Sequence, residues 1–237
     1  MPVRSECLNW RAGFLFLQSL TDSTLGAIFV YSLAIRNQQK ISERCSHNTW
    51  RCVMGRKLIG FDGPIYQSKI AELIRCLQEV PVAQKVMINS PGGTFEFFSV
   101  LGPALQRQGF TSIGLDVRSA AITLYLLGHR RYALPEAMFF FHEVRAITPH
   151  GVISICDLER ALEYEKEISE SRENVEERLL GLRNAQSWML SFMRERTGLP
   201  TSVFLDLMRN EVVLSAKEAV HFGLVHRVVS EDELNYI

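Results

Sequence analysis

The segment Met87-Ile88-Asn89-Ser90-Pro91-Gly92-Gly93, with the run from Ile113 to His142 that follows it, decides how this chain folds. Val86, Met87 and Ile88 read as a buried strand that breaks into a turn. Pro91 presets φ and removes a donor, and the two glycines permit backbone angles and a closeness of approach that a side chain forbids. Such a turn can aim a backbone N–H at empty space where a substrate oxygen fits. Beyond a short helix comes a second strand-like run. Ser119 then opens an apolar helix (Ala120, Ala121, Ile122, Leu124, Leu126, Leu127) that stops at Gly128. A third strand around Met138-Phe139-Phe140-Phe141 delivers His142 at its end. A donor-bearing glycine turn, a serine at a helix start and a histidine at a strand end are the parts of a serine hydrolase.

Working outward, Leu58-Ile59-Gly60-Phe61 reads as a short strand and Asp62-Gly63-Pro64 as a turn. Ile65, Ile70, Leu73, Ile74 and Leu77 then recur at helical spacing. Phe95 to Gln108 predicts a helix with Phe97, Phe98, Leu101, Ala104 and Leu105 inward, ended by Gly109, and Thr111 to Leu115 a strand. This rhythm indicates βαβ units in a parallel sheet. Ligands of such sheets collect at the carboxyl ends of strands, where Asn89 to Gly93 and Asp116 to Ser119 are located.

Toward the C-terminus, Asp157 through Arg196 holds no proline and only Gly181, which predicts a long helical region between His150 and Gly198. Its apolar stripe is loose, so it reads either as a solvated helical hairpin or as an oligomer contact. Trp188, Met189, Phe192 and Met193 form a stronger patch that should return to the core. A short helix is expected from Leu199-Pro200 through Met208, then Val212-Val213-Leu214, then a helix from Ser215 to Phe222. Ser215 is its N-cap, Glu218 the capping-box partner, and Gly223 its stop. Leu224-Val225 and Val228-Val229 make a last short strand.

The length of 237 residues suits one large domain with an appendage, and the 47% apolar and 22% charged fractions are those of an ordinary globular protein. Residues 1–55 form an N-terminal extension, helical or poorly ordered. Its apolar run Leu25 to Ile35 is shorter than the about 20 residues a bilayer span needs, and no clean signal-peptidase site follows it. Formal charge is zero. That argues against nucleic-acid or membrane-surface partners and supplies no repulsion against self-association. The five cysteines include no CxxC pair. Cys45, His47 and Cys52 lack a fourth ligand nearby, so no metal or other cofactor is expected, and free thiols point to a reducing, cytoplasmic setting.

The motifs resemble those of the Clp protease proteolytic subunit and its relatives, serine peptidases with a crotonase-like fold. The matching residues are Ile88 to Gly93, Ser119 with Gly128, Tyr132-Ala133-Leu134-Pro135, Phe141-His142, Thr197-Gly198, Leu214 to Ala219 and Gly223-Leu224-Val225. The resemblance covers roughly Arg56 to Val229. It implies an α/β, ClpP-like fold of repeated ββα/βαβ units over 56–237, with an extended helical handle insertion at about 150–196. It also implies a serine endopeptidase with Ser119 as nucleophile, His142 as base, Glu211 where the family has aspartate, and the N–H groups of Gly93 and Ala120 as oxyanion donors. Asn210 and Asp206 flank Glu211 and are its substitutes. Arg118 stands where the family carries small residues, and either pairs with Asp116 or obstructs the substrate groove. Expected partners are a peptide or unfolded-protein substrate, further copies of the chain in a ring, and an AAA+ unfoldase. The alternatives are a catalytically impaired Clp-like scaffold and an acyl-CoA-binding crotonase-type enzyme.

Overall fold

The computed structural model describes residues 58–79, 85–148, 151–163 and 172–237. All belong to the unit Thr49–Ile237. The expectations for residues 1–55, including the Cys45, His47 and Cys52 cluster, lie outside the described residues.

Strand β1 (Leu58–Asp62) leads into α1 (Gln67–Glu79), β2 (Lys85–Ser90), α2 (Phe98–Gln106), β3 (Thr111–Arg118), α3 (Ala120–Leu126) and β4 (Arg130–Phe140). The four strands lie side by side in that order, each parallel to the next. The βαβ rhythm read from the apolar spacing is therefore the observed one. Helix α1 buries Ile70, Leu73, Ile74 and Leu77, the residues its period selects, and α2 buries Phe98, Leu101 and Leu105. Phe61, Val86, Ile88 and Val117 of the sheet are fully buried as well, while Ile113 packs with Leu134, Val229 and Leu234 in a separate cluster.

The third strand is longer than its apolar end suggests, because β4 runs through Tyr132 to Pro135 as well. Register with β3 jumps from Gly114↔Ala133 to Asp116↔Met138. Pro135 falls inside this jump, where its missing N–H removes no ladder bond. The irregularity also divides the partners on the far side of β4. Below it, Tyr132 and Ala133 pair parallel with β8 (Arg227–Val228), while above it Met138 to Phe140 pair antiparallel with β7 (Val213–Ser215). Gly114 sits at the same kink, and a Cβ there would lie 2.9 Å from the Phe139 ring. That ring packs edge-on against buried Tyr125 at 5.1 Å.

The region expected to be helical between His150 and Gly198 is preceded and opened by strands. They form an antiparallel hairpin, β5 (Arg145–Thr148) and β6 (Gly151–Ser154), before α4 (Ile155–Glu163) and α5 (Arg172–Thr197). Ile155 and Leu158 of α4 pack on Val175, Leu179 and Leu182 of α5, so the loose stripe is buried between two helices. Met189 and Met193 return to the core as expected, while Trp188 and Phe192 stack at 5.4 Å and stay half-buried.

Helix α6 (Thr201–Arg209) precedes β7, and α7 (Ala216–His221) follows it. The Ser215 and Glu218 capping box is present. It satisfies two orphan donors at the helix start. Of the expected last strand only Arg227 and Val228 pair, and Leu224 and Val225 are buried loop.

Two arginines tie helix ends to the sheet. Arg131, 5% exposed, donates from Nε to the Leu224 carbonyl at 2.7 Å and from Nη2 to those of Arg196 (3.1 Å) and Gly223 (3.2 Å). Arg196 donates to the carbonyls of Leu126 (2.7 Å) and Gly128 (2.9 Å). Beside them His226 accepts the Arg131 N–H at Nδ1, 3.2 Å away. Burial first, then the charges of Arg131 and Arg196, lowers the His226 pKa below its ordinary 6.5. A depressed imidazole means the unfolded chain binds the proton more readily. The contribution is therefore fully present above pH 6.5 and lost as pH falls through the lower folded value. His226→Gln should reduce the fall in melting temperature between pH 7.5 and 5. Parallel profiles for the two proteins would refute this.

Candidate active site

The parallel strands β2, β3 and β4 end level with one another, since Ser90 pairs Val117 and Arg118 pairs Phe140. Everything the sequence singles out at a strand end therefore meets at one rim of the sheet. Asn89 anchors the first turn there, its Nδ2 donating to Asp62 Oδ1 at 3.1 Å. Buried Ser90 accepts the Gly92 N–H at 3.2 Å. Gly92 and Gly93 have φ of 92° and 146°, values that disfavour any side chain. The turn is pinned to the chain after β1, with Ile65 N–H on the Gly92 carbonyl (2.8 Å) and Thr94 N–H on the Ile65 carbonyl (3.0 Å). Among the described residues the Gly93 N–H donates to no carbonyl or side chain.

Ser119 occupies the junction of β3 and α3 in a strained conformation, φ 54° and ψ −125°. A non-glycine residue reaches such angles only when its surroundings impose them, and such strain concentrates at functional sites. Here its N–H is held by the Phe140 carbonyl at 2.9 Å and its carbonyl by the Ile122 N–H at 3.0 Å. Its hydroxyl makes no hydrogen bond to any described residue, so it does not cap α3. A sharp strand-to-helix turn of this kind lifts a serine hydroxyl clear of the sheet. A Cβ added to Gly92 would lie 3.1 Å from the Ala120 nitrogen, which sets the glycine turn beside the first N–H of α3. Gly92 therefore lies against Ser119, with the added Cβ 2.8 Å from the serine Cβ.

His142 follows β4 by two residues, next to the strand that delivers Ser119. Its ring lies 5.6 Å from that of Phe140. Nδ1 is 2.6 Å from the Glu143 carbonyl oxygen. A carbonyl only accepts, so this contact requires a proton on Nδ1 and leaves Nε2 of the neutral ring as the basic nitrogen.

Glu211 lies in the turn between α6 and β7 with φ 49°. Phe140 pairs Val213, and Phe141 N–H bonds the Val212 carbonyl. Continuing that register sets Glu211 across from His142. Its carboxylate, however, is bound by Arg145 and makes no hydrogen bond to the imidazole. Asn210 instead donates its side-chain amide to the Asp206 carbonyl (2.8 Å). Arg118 points along β3 to Asp116, its Nε 2.7 and 2.9 Å from the two oxygens, and the carboxylate's hydrogen bond raises its pKa further. This bond, one N–H shared between the two carboxylate oxygens, pairs Arg118 with Asp116.

Gln186 and Cys156, which contact the residues after His142, are missed by sequence reasoning. Gln186 of α5 accepts the Val144 N–H at Oε1 (3.1 Å) and donates Nε2 to Glu143 Oε1 (3.5 Å). Cys156 Sγ is 3.8 Å from Glu143 Oε2. Desolvation, then the charges of Glu143 and Glu159, pushes its thiol pKa up. An open depression of about 280 Å³ between α2, α3 and α5, walled by Phe98, Trp188 and Phe192, holds none of the rim residues. Among the described residues, no three His, Cys, Asp or Glu side chains are grouped to hold a metal ion. No helix among them is long and apolar enough to cross a membrane.

A family model described as Clp protease matches residues 163–232. That match stops short of Ser119 and His142. Among solved structures, an asparagine-to-aspartate mutant of ClpP1 from Listeria monocytogenes is similar, with a TM-score of 0.54 and 19% identity over 75% of this chain and 94% of that one. No curated protein matches the sequence. The fold is α/β and ClpP-like.

Proposed function

We propose that this chain is a serine peptidase that cleaves peptide bonds through an acyl-enzyme. The single observation that carries the reading is the strained backbone of Ser119, at φ 54° and ψ −125° between β3 and α3. Backbone strain of this kind clusters at active sites, where the surrounding structure over-determines it. In this reading Ser119 Oγ attacks the scissile carbonyl carbon while His142 Nε2 takes its proton. The developing oxyanion is received by the N–H groups of Gly93 and Ala120, each worth about 3–4 kcal/mol in such a hole. The imidazolium then protonates the leaving amine, and water repeats the sequence to release the acid. Resting geometry is often looser than the reacting one, so the open Ser119 hydroxyl is compatible with this. The substrate is a peptide or unfolded protein, and the assembly a ring of identical chains.

A fluorophosphonate probe should label Ser119 in the wild-type protein and leave Ser119→Ala unlabelled. Equal labelling of both proteins would sink the proposal. The second reading, a Clp-like scaffold without turnover, is favoured by the engagement of Glu211 with Arg145. Peptidase activity that disappears in Ser119→Ala excludes it. Tight binding of an acyl-CoA thioester, with no labelling, would move the reading to a crotonase-type enzyme.

A further inference from the structure

Gln186 is the one uncharged polar side chain on α5 that is buried, at 8% exposure. An amide in a helix interface is costly unless both its ends are satisfied. Both are, and both partners belong to the two residues after His142. The oxygen receives the Val144 N–H, and the nitrogen faces the Glu143 carboxylate. That carboxylate is itself only 13% exposed and is faced from α6 by Arg209 Nε at 3.8 Å. The same Glu143 supplies the carbonyl that accepts the His142 Nδ1 proton. A chain of contacts thus runs from α5 through the 143–144 backbone to the imidazole, while Glu211 is occupied elsewhere.

We propose that Gln186 is a positioning residue for His142: by clamping Glu143 and Val144 it aims the Glu143 carbonyl at Nδ1, fixing the tautomer that leaves Nε2 basic. The inference rests on the peptidase reading for its consequence, but the tautomer is observable without turnover. It assigns to a backbone carbonyl, held from the long helix, the orienting task that a carboxylate performs in other triads. It also makes the imidazole sensitive to movement of α5, since the Val144 N–H is held by Gln186.

The test uses the full chain carrying 15N-histidine, with the His142 signals identified by their loss in His142→Asn. Wild-type protein above pH 8 should show His142 protonated at Nδ1. Gln186→Met, which keeps the volume and removes both polar atoms, should yield a mixture of tautomers and slow probe labelling of Ser119 by roughly 10- to 100-fold. The double variant Gln186→Glu with Glu143→Gln reverses the donor and acceptor across the clamp and should restore both readouts, which a mere packing defect would not. Glu211→Gln should leave the tautomer unchanged. If Gln186→Met keeps the wild-type tautomer, or if Glu211→Gln is the variant that scrambles it, the proposal is overturned. A protein whose tautomer responds to Gln186 while Ser119 stays unlabelled would overturn only the peptidase reading.

Discussion

Gly92→Ala is expected to lower the rate of covalent labelling at Ser119 by about 100-fold or more, the cost of misplacing an oxyanion donor. A methyl group at this position would stand 2.7 Å from the Arg118 carbonyl oxygen and 2.8 Å from Ser119 Cβ, on a backbone whose φ of 92° alanine resists. The obstacles are backbone and a Cβ, which cannot swing away as a flexible side chain would. Relief comes only by flipping the 91–93 turn or by pushing the start of α3 outward. Either movement separates the Gly93 and Ala120 donors from the serine. The control is Gly181→Ala on α5, where an added Cβ meets nothing within 4 Å. It should label at the wild-type rate and be more stable by about 0.5–1 kcal/mol. Labelling rates should be compared on protein shown folded by circular dichroism. A Gly92→Ala protein that labels as fast as wild type would mean the glycine turn takes no part in the chemistry.

The features that the sequence discloses are those whose cause is local. The glycine turn, the serine before an apolar helix and the Ser215 and Glu218 box each depend on a few consecutive residues. The parallel order of β1 to β4 follows from alternation of two periods. What stays hidden depends on residues far apart in the chain. Pro135 and Glu136 disguise the single strand β4, because the bulge that tolerates them is defined only against Leu115 of β3. The β5–β6 hairpin does leave a signal, since Thr148-Pro149-His150-Gly151 is a turn sequence between β-branched pairs. A reading that starts the helical region at His150 passes over it. Gln186 reads only as a gap in the stripe of α5, since its partners at 143 and 144 lie some forty residues earlier. The backbone angles of Ser119 have no signature in the sequence at all. They arise from the Phe140 carbonyl on the neighbouring strand.

Arg131→Met should destabilise the fold by on the order of 3 kcal/mol, through carbonyls left without a donor rather than through lost charge pairing. Among the described residues no carboxylate is paired with Arg131, and its guanidinium is surrounded by the carbonyl oxygens of Leu224, Gly223 and Arg196. Gly223 and Leu224 follow the last turn of α7, and Arg196 is in the last turn of α5, so one cation serves two helix C-termini. Their unpaired carbonyls carry the negative end of the helix dipole, which explains why a cation is tolerated there without an acidic partner. Burial and the nearby Arg196 lower the Arg131 pKa, yet a guanidinium remains charged at any working pH. Methionine fills the volume but donates nothing. Lysine keeps the charge and loses the fork that reaches several oxygens at once, so Arg131→Lys should fall between the two. Urea unfolding midpoints in the order wild type, Lys, Met, with unchanged slopes, are the expected result. A methionine variant as stable as wild type would show that these carbonyls need no donor. Arg196 repeats the device on α3, capping Leu126 and Gly128 at the end opposite Ser119. Arg196→Met should therefore slow labelling of Ser119 as well as lower stability, because the helix whose first N–H serves the oxyanion is anchored at its last carbonyls.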